Sequence, residues 1–103
     1  MNFYILCEKL LQDLGEEIEK RDIDSNLEID YSEGILNITI IINKKTFVIN
    51  RNSGNQKIWY SSPFTGANYF AYDQKLDQFI SITNQELKSV LLTELKDYLV
   101  NKN

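Results

Sequence analysis

Apolar residues recur every three or four positions at both ends of the chain, and they alternate with polar residues in between. The first series predicts an amphipathic helix over residues 3 to about 21, because residues at this spacing share one helix face. Its apolar stripe consists of Phe3, Leu6, Cys7, Leu10, Leu11, Leu14 and Ile18. The last series predicts a closing helix, and Thr83 with Glu86 has the spacing of a capping box at its start. The apolar residues of this closing helix are Leu87, Leu91, Leu95 and Tyr98.

Short strands are predicted between the two helices, because the apolar residues there follow a period of two and are separated by turn-forming residues. The predicted inward residues of the first four strands are, in chain order, Leu27, Ile29 and Tyr31; Leu36, Ile38, Ile40 and Ile42; Phe47 and Ile49; Ile58 and Tyr60. Phe70 and Tyr72 indicate a fifth strand, and Phe79 to Ile82 indicate a sixth. The predicted turns lie at residues 32–34, 43–45, 53–55 and 62–66.

This order of elements predicts an α+β fold, a two-layer sandwich in which both helices pack on one face of an antiparallel β-sheet. A chain of 103 residues has room for one core, so residues 1–103 are predicted to form a single domain. The other sheet face must then meet solvent. Alternation places Asn50 and Trp59 on that open face, whereas Ile58 and Tyr60 point towards the helices.

Composition supports a folded protein and narrows its chemistry. Hydrophobic residues make up 43% of the chain and charged residues 25%, which is ordinary for a globular domain. No apolar run reaches the length of a membrane span, and the first residues carry no targeting signal, so a bacterial cytoplasmic protein is expected. One cysteine excludes an internal disulfide, and the absence of histidine removes the commonest general base and metal ligand.

Charge is distributed unevenly. Residues 1–33 hold ten acids against three bases, a net charge of −7, whereas residues 34–103 carry a net charge of +3. The acidic part should repel nucleic acid and anionic lipid and attract cations or a basic protein surface. On a helical wheel Glu8, Gln12, Glu16 and Glu19 form an exposed row, which Glu28 and Asp30 extend onto the first strand. Oxygen ligands of this kind suit hard cations such as iron or calcium, and surface carboxylates should bind them weakly.

The remaining polar and reactive residues form no catalytic set. Cys7 lies on the apolar stripe of the first helix, where a free cysteine usually acts as a small hydrophobic residue. Ser61 and Ser62 have neither a histidine nor a glycine-rich turn to activate them. Trp59 on the open face is instead interpreted as a protein-binding anchor, with the Asn50 amide beside it.

An acidic first helix and strand, the segment "VINRNSGNQKIWYSSPFTG" and a leucine-rich closing helix together resemble the frataxin family, with its bacterial CyaY-type members. The resemblance covers nearly the whole chain and is most specific at residues 48–66. Frataxins typically carry the pattern N-(K/R)-Q-x-P-x-x-Q-(I/V)-W-(L/Y)-(S/A)-(S/T) there. The matching residues include Asn50, Arg51, Ile58, Trp59, Ser61 and Ser62.

The resemblance implies a non-enzymatic role in iron–sulfur cluster assembly, as an iron donor or regulator that docks on the cysteine desulfurase and the scaffold protein. It also implies a monomer with iron-dependent oligomers. The implied ligands for Fe²⁺ or Fe³⁺ are Glu8, Glu16, Glu19, Asp22, Asp24, Glu28 and Asp30. The implied partner-binding residues are Glu16, Glu19, Asn50, Arg51 and Trp59.

The chain departs from the family pattern at several positions, and two alternative functions stay open. Lys9, Lys20 and Asn26 replace frequent acids, and Lys57, Gly54 and Ala71 replace a Gln, a Pro and an Asp. The alternatives are a ferroxidase or iron-storage activity, in which carboxylates that prefer Fe³⁺ promote oxidation by air, and a metal-independent acidic module that regulates the desulfurase. The sequence alone does not separate the iron-binding adaptor from that acidic module.

Overall fold

The structure is a computed structural model that describes residues 2–99. Met1 and residues 100–103, the ends of the predicted single domain, lie outside the described residues. The elements in chain order are α1 (Phe3–Arg21), β1 (Leu27–Ser32), β2 (Ile35–Ile40), β3 (Lys45–Asn52), β4 (Lys57–Ser62), β5 (Gly66–Asp73), β6 (Gln78–Ile80) and α2 (Leu87–Leu99). The predicted α+β architecture is confirmed.

Helix α1 has the predicted bounds, and its ends carry the expected stabilising groups. The Asn2 side chain caps the helix, because its Oδ1 accepts hydrogen bonds from the backbone N–H groups of Tyr4 (2.7 Å) and Ile5 (3.3 Å). Lys20 and Arg21 occupy the last turn, where a positive charge interacts favourably with the helix dipole. Neither described helix combines the length and the apolar character needed to cross a bilayer.

All six strands belong to one antiparallel sheet with the order β1-β2-β3-β4-β5-β6, so every strand pairs with its neighbour in sequence. Tight turns make this meander possible, and residues with positive φ form them. Glu33 (φ 41°) and Gly34 (φ 83°), for example, join β1 to β2.

The core lies between the helices and one sheet face. Helix α1 approaches β1 and β2 closely at Gly15, where an added Cβ would lie 3.1 Å from Leu36 Cδ1 and 3.6 Å from Ile29 Cγ2. Cys7 is fully buried, as its place on the apolar stripe predicted. The buried core residues are Cys7, Leu11, Leu14, Ile18, Leu27, Leu36, Ile38, Ile40, Phe47, Ile49, Ile58, Tyr60, Phe70, Phe79, Leu87, Leu91 and Leu95.

Two isoleucines that were predicted to belong to strands lie in exposed turns. Ile42 was predicted to face inward, but it is 86% exposed because β2 ends at Ile40 and the Lys44 N–H closes the turn onto the Ile40 carbonyl (2.8 Å). Ile82 was placed in the sixth strand and is 92% exposed. Strand β6 ends at Ile80 because the Ser81 N–H bonds the Gln85 carbonyl (2.9 Å) and turns the chain away.

The predicted capping box at the start of α2 was also wrong. The helix begins at Leu87, and the Glu86 carboxylate accepts hydrogen bonds from the N–H groups of Lys88 (2.9 Å) and Ser89 (3.0 Å). Glu86 is therefore the residue that caps the helix. The Thr83 hydroxyl instead bonds Ser81 within the preceding loop.

Candidate functional site

The open face of the sheet carries a row of larger side chains at its centre. In the strand register Ile35 lies opposite Asn50, Asn50 opposite Trp59, and Trp59 opposite Tyr69. Trp59 and Asn50 are half-buried, whereas Ile35 and Tyr69 are 39% and 40% exposed. These four residues, here called the Trp59 patch, combine apolar area with amide and hydroxyl groups. Such a composition is typical of protein-binding surfaces.

Arg51 does not join the Trp59 patch, although sequence placed it with the partner-binding residues. Alternation turns its side chain to the helix side of the sheet, where its guanidinium lies 4.1 Å from the centre of the Tyr4 ring. The side chain is 16% exposed, and Nη1 lies 3.7 Å from Glu8 Oε1. Arg51 therefore contacts α1 rather than the open face.

The helical wheel predicted that Glu8 lies in an exposed row, but its side chain is only partly exposed. Its carboxylate accepts a hydrogen bond from the Tyr31 hydroxyl (2.7 Å), and its side chain is 35% exposed. Burial and this hydrogen bond to Glu8 raise the pKa of Tyr31. Since α1 and β1 meet at this contact, Glu8 serves as a structural link with part of its oxygen capacity occupied.

Asp22 also has a structural role. Its carboxylate accepts hydrogen bonds from the backbone N–H groups of Asn26 (2.8 Å) and Leu27 (3.0 Å). These bonds hold the loop between α1 and β1, as Asp side chains commonly do in turns. Both carboxylate oxygens are thereby engaged.

The other five predicted ligands are exposed, and their side chains make no hydrogen bond or salt bridge with any residue in the range 2–99. We call them the acidic surface: Glu16, Glu19, Asp24, Glu28 and Asp30. Their neighbours on α1 differ, because Lys9 pairs with Asp13 (2.9 Å), and Lys88 pairs with Glu17 (2.7 Å). The hydrogen bonds to Lys88 and Arg21 lower the pKa of Glu17. The acidic surface thus consists of the predicted ligands whose carboxylates have no partner among the described residues.

The acidic surface is divided by the edge of the sheet. Glu28 and Asp30 alternate with Leu27 and Ile29, which face the core, so they point away from the helix layer. Glu16 and Glu19 lie on α1, on the other side of β1. Within the described residues, no three acidic or thiol side chains come together in a way that could hold a metal ion. The donors are hard oxygen atoms that suit iron, but their arrangement allows only binding in which water fills most coordination positions.

Sequence reasoning missed two residues of the Trp59 patch, although the alternation contained the signal. Ile35 precedes the inward-facing Leu36, and Tyr69 precedes the inward-facing Phe70, so both must point outward. It also missed Glu94 on α2, whose carboxylate accepts hydrogen bonds from the hydroxyls of Tyr60 (2.8 Å) and Thr65 (3.1 Å).

Comparison with known proteins gives matches over nearly the whole chain. A model of the frataxin-like domain matches residues 1–101. The mitochondrial frataxin of Dictyostelium discoideum is 37% identical over 65 residues, which cover 63% of this chain and 33% of that protein. The mitochondrial frataxin homolog of Schizosaccharomyces pombe is 33% identical over 89 residues, which cover 84% of this chain and 52% of that protein. The chain thus spans between a third and about half of the length of these curated relatives.

Two solved structures share the fold. The frataxin of Psychromonas ingrahamii, a member of the CyaY protein family, superposes with a TM-score of 0.76 at 19% identity, covering 98% of this chain and 97% of that chain. A trimeric frataxin from Saccharomyces cerevisiae, complexed with ferrous iron, superposes with a TM-score of 0.74 at 24% identity, covering 96% and 87%.

Fold and surface together define a two-layer α+β protein with a meander sheet, one open sheet face and an acidic N-terminal region. The family match then identifies it, because it covers all but the last two residues of the chain. The chain belongs to the frataxin-like family, and its fold is that of the CyaY-type members. The resemblance predicted from residues 48–66 is confirmed.

Proposed function

We propose that this chain is a non-enzymatic, iron-binding protein of iron–sulfur cluster assembly, which docks on a cysteine desulfurase and on the scaffold protein. Its family is known for iron binding and for iron–sulfur cluster assembly. The observation that carries the iron-binding role is that the five carboxylates of the acidic surface have no counter-charge. Asp13 and Glu17, by contrast, are each paired with a lysine. Clustered carboxylates repel one another, and a bound cation relieves this repulsion.

The acidic surface also supports the proposed contact with the desulfurase. A net charge of −7 over residues 1–33 attracts a basic protein surface and speeds its encounter. We therefore assign Glu16 and Glu19 to both roles, metal binding and docking. Iron is carried here as cargo, so weak and reversible coordination by exposed carboxylates suits the task.

The Trp59 patch supports the proposed contact with the scaffold protein. It lies on the sheet face opposite the two described helices, and its centre is an aromatic residue flanked by an amide. Asn50 and Trp59 form the scaffold contact, whereas Arg51 takes no part in it because its side chain points to the opposite face. The bacterial cytoplasmic location and the monomeric state with iron-dependent oligomers stay predictions.

An anaerobic titration of ¹⁵N-labelled protein with Fe²⁺, followed by NMR, tests the iron-binding role. Paramagnetic broadening should begin at the amides of Glu16, Glu19 and Asp24, and it should need more iron in the double variant Glu16→Gln/Glu19→Gln. The matched control is Asp77→Asn/Asp97→Asn, which removes the same charge outside the acidic surface. If both variants need the same iron concentration, only net charge attracts the ion and the acidic surface is not a site.

A further inference from the structure

Strand β5 has a backbone edge that its neighbour covers only in part. It pairs with β4 from Gly66 to Phe70 but with β6 only from Ala71 to Asp73. The chain leaves the sheet after Ile80, so the place beside residues 66–70 is not taken by any strand of the described part of the chain. An uncovered strand edge presents backbone donors and acceptors to whatever approaches it.

The open donors and acceptors on this edge belong to Ala67 and Tyr69. In an antiparallel pair, successive residues direct their N–H and C=O groups to alternate sides. The Tyr69 N–H bonds the side-chain Oδ1 of Asn68 (2.9 Å), which places it on the side away from β4, and Ala67 has the same parity. The Asn68 amide therefore occupies the position that a carbonyl of an adjacent strand would take.

A groove runs along this edge between β5 and α2. Its volume is about 540 Å³, and its walls include Ala67 and Asn68 on the strand and Ser89, Val90 and Thr93 on the helix. Small and hydroxyl-bearing side chains dominate, so an extended chain has room beside the strand. The groove continues the line of β6 along the sheet.

The groove is acidic. Glu86 and Glu94 line it, and no Lys or Arg is among its lining residues. Glu86 accepts from the N-terminal backbone of α2 and Glu94 accepts from hydroxyl groups, while neither takes part in a salt bridge of the described residues. A cationic side chain in the groove would meet two carboxylates whose oxygens accept hydrogen bonds but whose negative charge no described Lys or Arg offsets.

We propose that the uncovered edge of β5 is a docking site for an extended, lysine- or arginine-bearing segment of a partner protein, which adds a strand beside Ala67 and Tyr69. The backbone hydrogen bonds would supply affinity, as in other cases of β-strand addition, and the carboxylates of the groove would select a basic segment. The Asn68 side chain must release the Tyr69 N–H before the segment binds. This site is separate from the acidic surface and does not depend on the proposed function.

The test uses the full chain, ¹⁵N-labelled, and a short blocked peptide that alternates lysine and threonine, which favours an extended conformation. Binding should shift the amide signals of Ala67, Tyr69 and Thr93 and slow hydrogen exchange at the Ala67 amide. A peptide with glutamate in place of lysine should produce no such shifts. Shifts confined to Glu16, Glu19 and Asp24 would show general attraction to the acidic surface and would overturn the proposal.

Two variants separate an edge site from nonspecific binding. Asn68→Ala removes the competing acceptor, so it should tighten peptide binding about twofold to tenfold, the worth of one net backbone hydrogen bond. Thr93→Lys places a positive charge in the groove without altering the sheet, so it should weaken binding. Equal affinities for wild type and both variants would contradict the proposal.

The free chain supplies a last control. If the Ala67 amide already exchanges slowly without peptide, the edge is occupied by a second copy or by the chain's own residues 100–103. That result would overturn the proposal, and repeating the measurement at several protein concentrations would tell the two occupants apart.

Discussion

The Tyr31 hydroxyl donates a hydrogen bond of 2.7 Å to Glu8 Oε1 and so ties β1 to the first half of α1. The same carboxylate lies 3.7 Å from Arg51 Nη1, which is buried and has no hydrogen-bond acceptor in the described part of the chain. Glu8 therefore stabilises the packing of α1 on the sheet. This role separates it from the exposed carboxylates of the acidic surface.

Tyr31→Phe should lower the free energy of unfolding by at least about 1 kcal/mol, because it removes the hydrogen bond donated to Glu8 and the one accepted from the Gly34 N–H (3.3 Å). Fe²⁺ binding at Glu16 and Glu19 should stay unchanged, since the acidic surface is not touched. Urea unfolding and the iron titration measure the two effects. Tyr72→Phe is the control, because its hydroxyl bonds Asp77 only five residues away in an exposed turn and should matter less. A fully stable Tyr31→Phe protein would refute the structural role of Glu8.

Replacement of Glu16, Glu19 and Glu28 by Gln should weaken binding of both iron and the desulfurase without lowering stability. The carboxylates are exposed and make no described contact that the substitution would break, and removing like charges reduces repulsion. Desulfurase affinity of the wild type should fall as salt rises, because exposed charges are screened. Calorimetric titrations at low and high salt would measure these affinities. If the variant binds iron and the desulfurase as tightly as the wild type does, the acidic surface is only a solvated face.

Trp59→Ala and Ile58→Ala should fail in different assays, because adjacent strand residues face opposite sides. Trp59→Ala should weaken scaffold binding by about 2 kcal/mol or more, as truncated aromatic anchors do. Ile58 is fully buried, so its replacement should lower the free energy of unfolding by roughly 2–5 kcal/mol. Binding assays and urea unfolding of each variant decide the matter. Acrylamide should readily quench the fluorescence of Trp59 in the free chain, since the indole lies on the open face. Strong protection of the indole from acrylamide would contradict that placement.

The strands and helices were predictable because burial imposes a period on the sequence. Inward residues such as Phe47 and Ile58 alternate with outward-facing residues along their strands. Apolar residues recur every three to four positions along α1. The errors at Ile42 and Ile82 have one cause: apolar residues continue past the last strand hydrogen bond, and hydrophobicity does not show where a turn closes.

The site was less predictable, because side-chain partners depend on the tertiary structure. Glu8 and Glu16 look equivalent on a helical wheel, yet only Glu8 lies within reach of Tyr31. Similarly, the family pattern places Arg51 beside Asn50, while alternation sends its side chain to the opposite face. Contacts between residues distant in sequence decided both cases.

Gly34→Ala should destabilise the protein more than Gly66→Ala. Both glycines have positive φ, 83° and 89°, so alanine at either position costs about 1–2 kcal/mol in backbone strain. At Gly34 an added Cβ would also lie 2.5 Å from Arg51 Nη1, whereas nothing lies within 4 Å at Gly66. The difference between the two unfolding free energies therefore isolates the contact with Arg51. Equal destabilisation would mean that the Arg51 side chain moves aside freely.

Stability should fall between pH 9 and 11, and Cys7 should account for part of the loss. Burial raises the pKa of this thiol from 9.0 to about 11, although the nearby Arg51 charge opposes the shift. In that range the unfolded chain releases the thiol proton while the folded chain retains it, so the contribution is complete below pH 9 and is lost as pH rises through about 11. Each such proton contributes a slope of at most about 1.4 kcal/mol per pH unit.

Cys7→Ala is the matching variant for this pH dependence. It should lower the free energy of unfolding at every pH, because it leaves a cavity, but its stability should decline less steeply from pH 9 to 11. Some decline should remain above pH 10, because burial and the Glu94 hydrogen bond raise the pKa of Tyr60 as well. Urea unfolding curves at intervals of pH measure both slopes. Parallel stability profiles for the wild type and Cys7→Ala would show that the folded and unfolded thiols ionise alike, which would contradict the burial of Cys7 on the core face of α1.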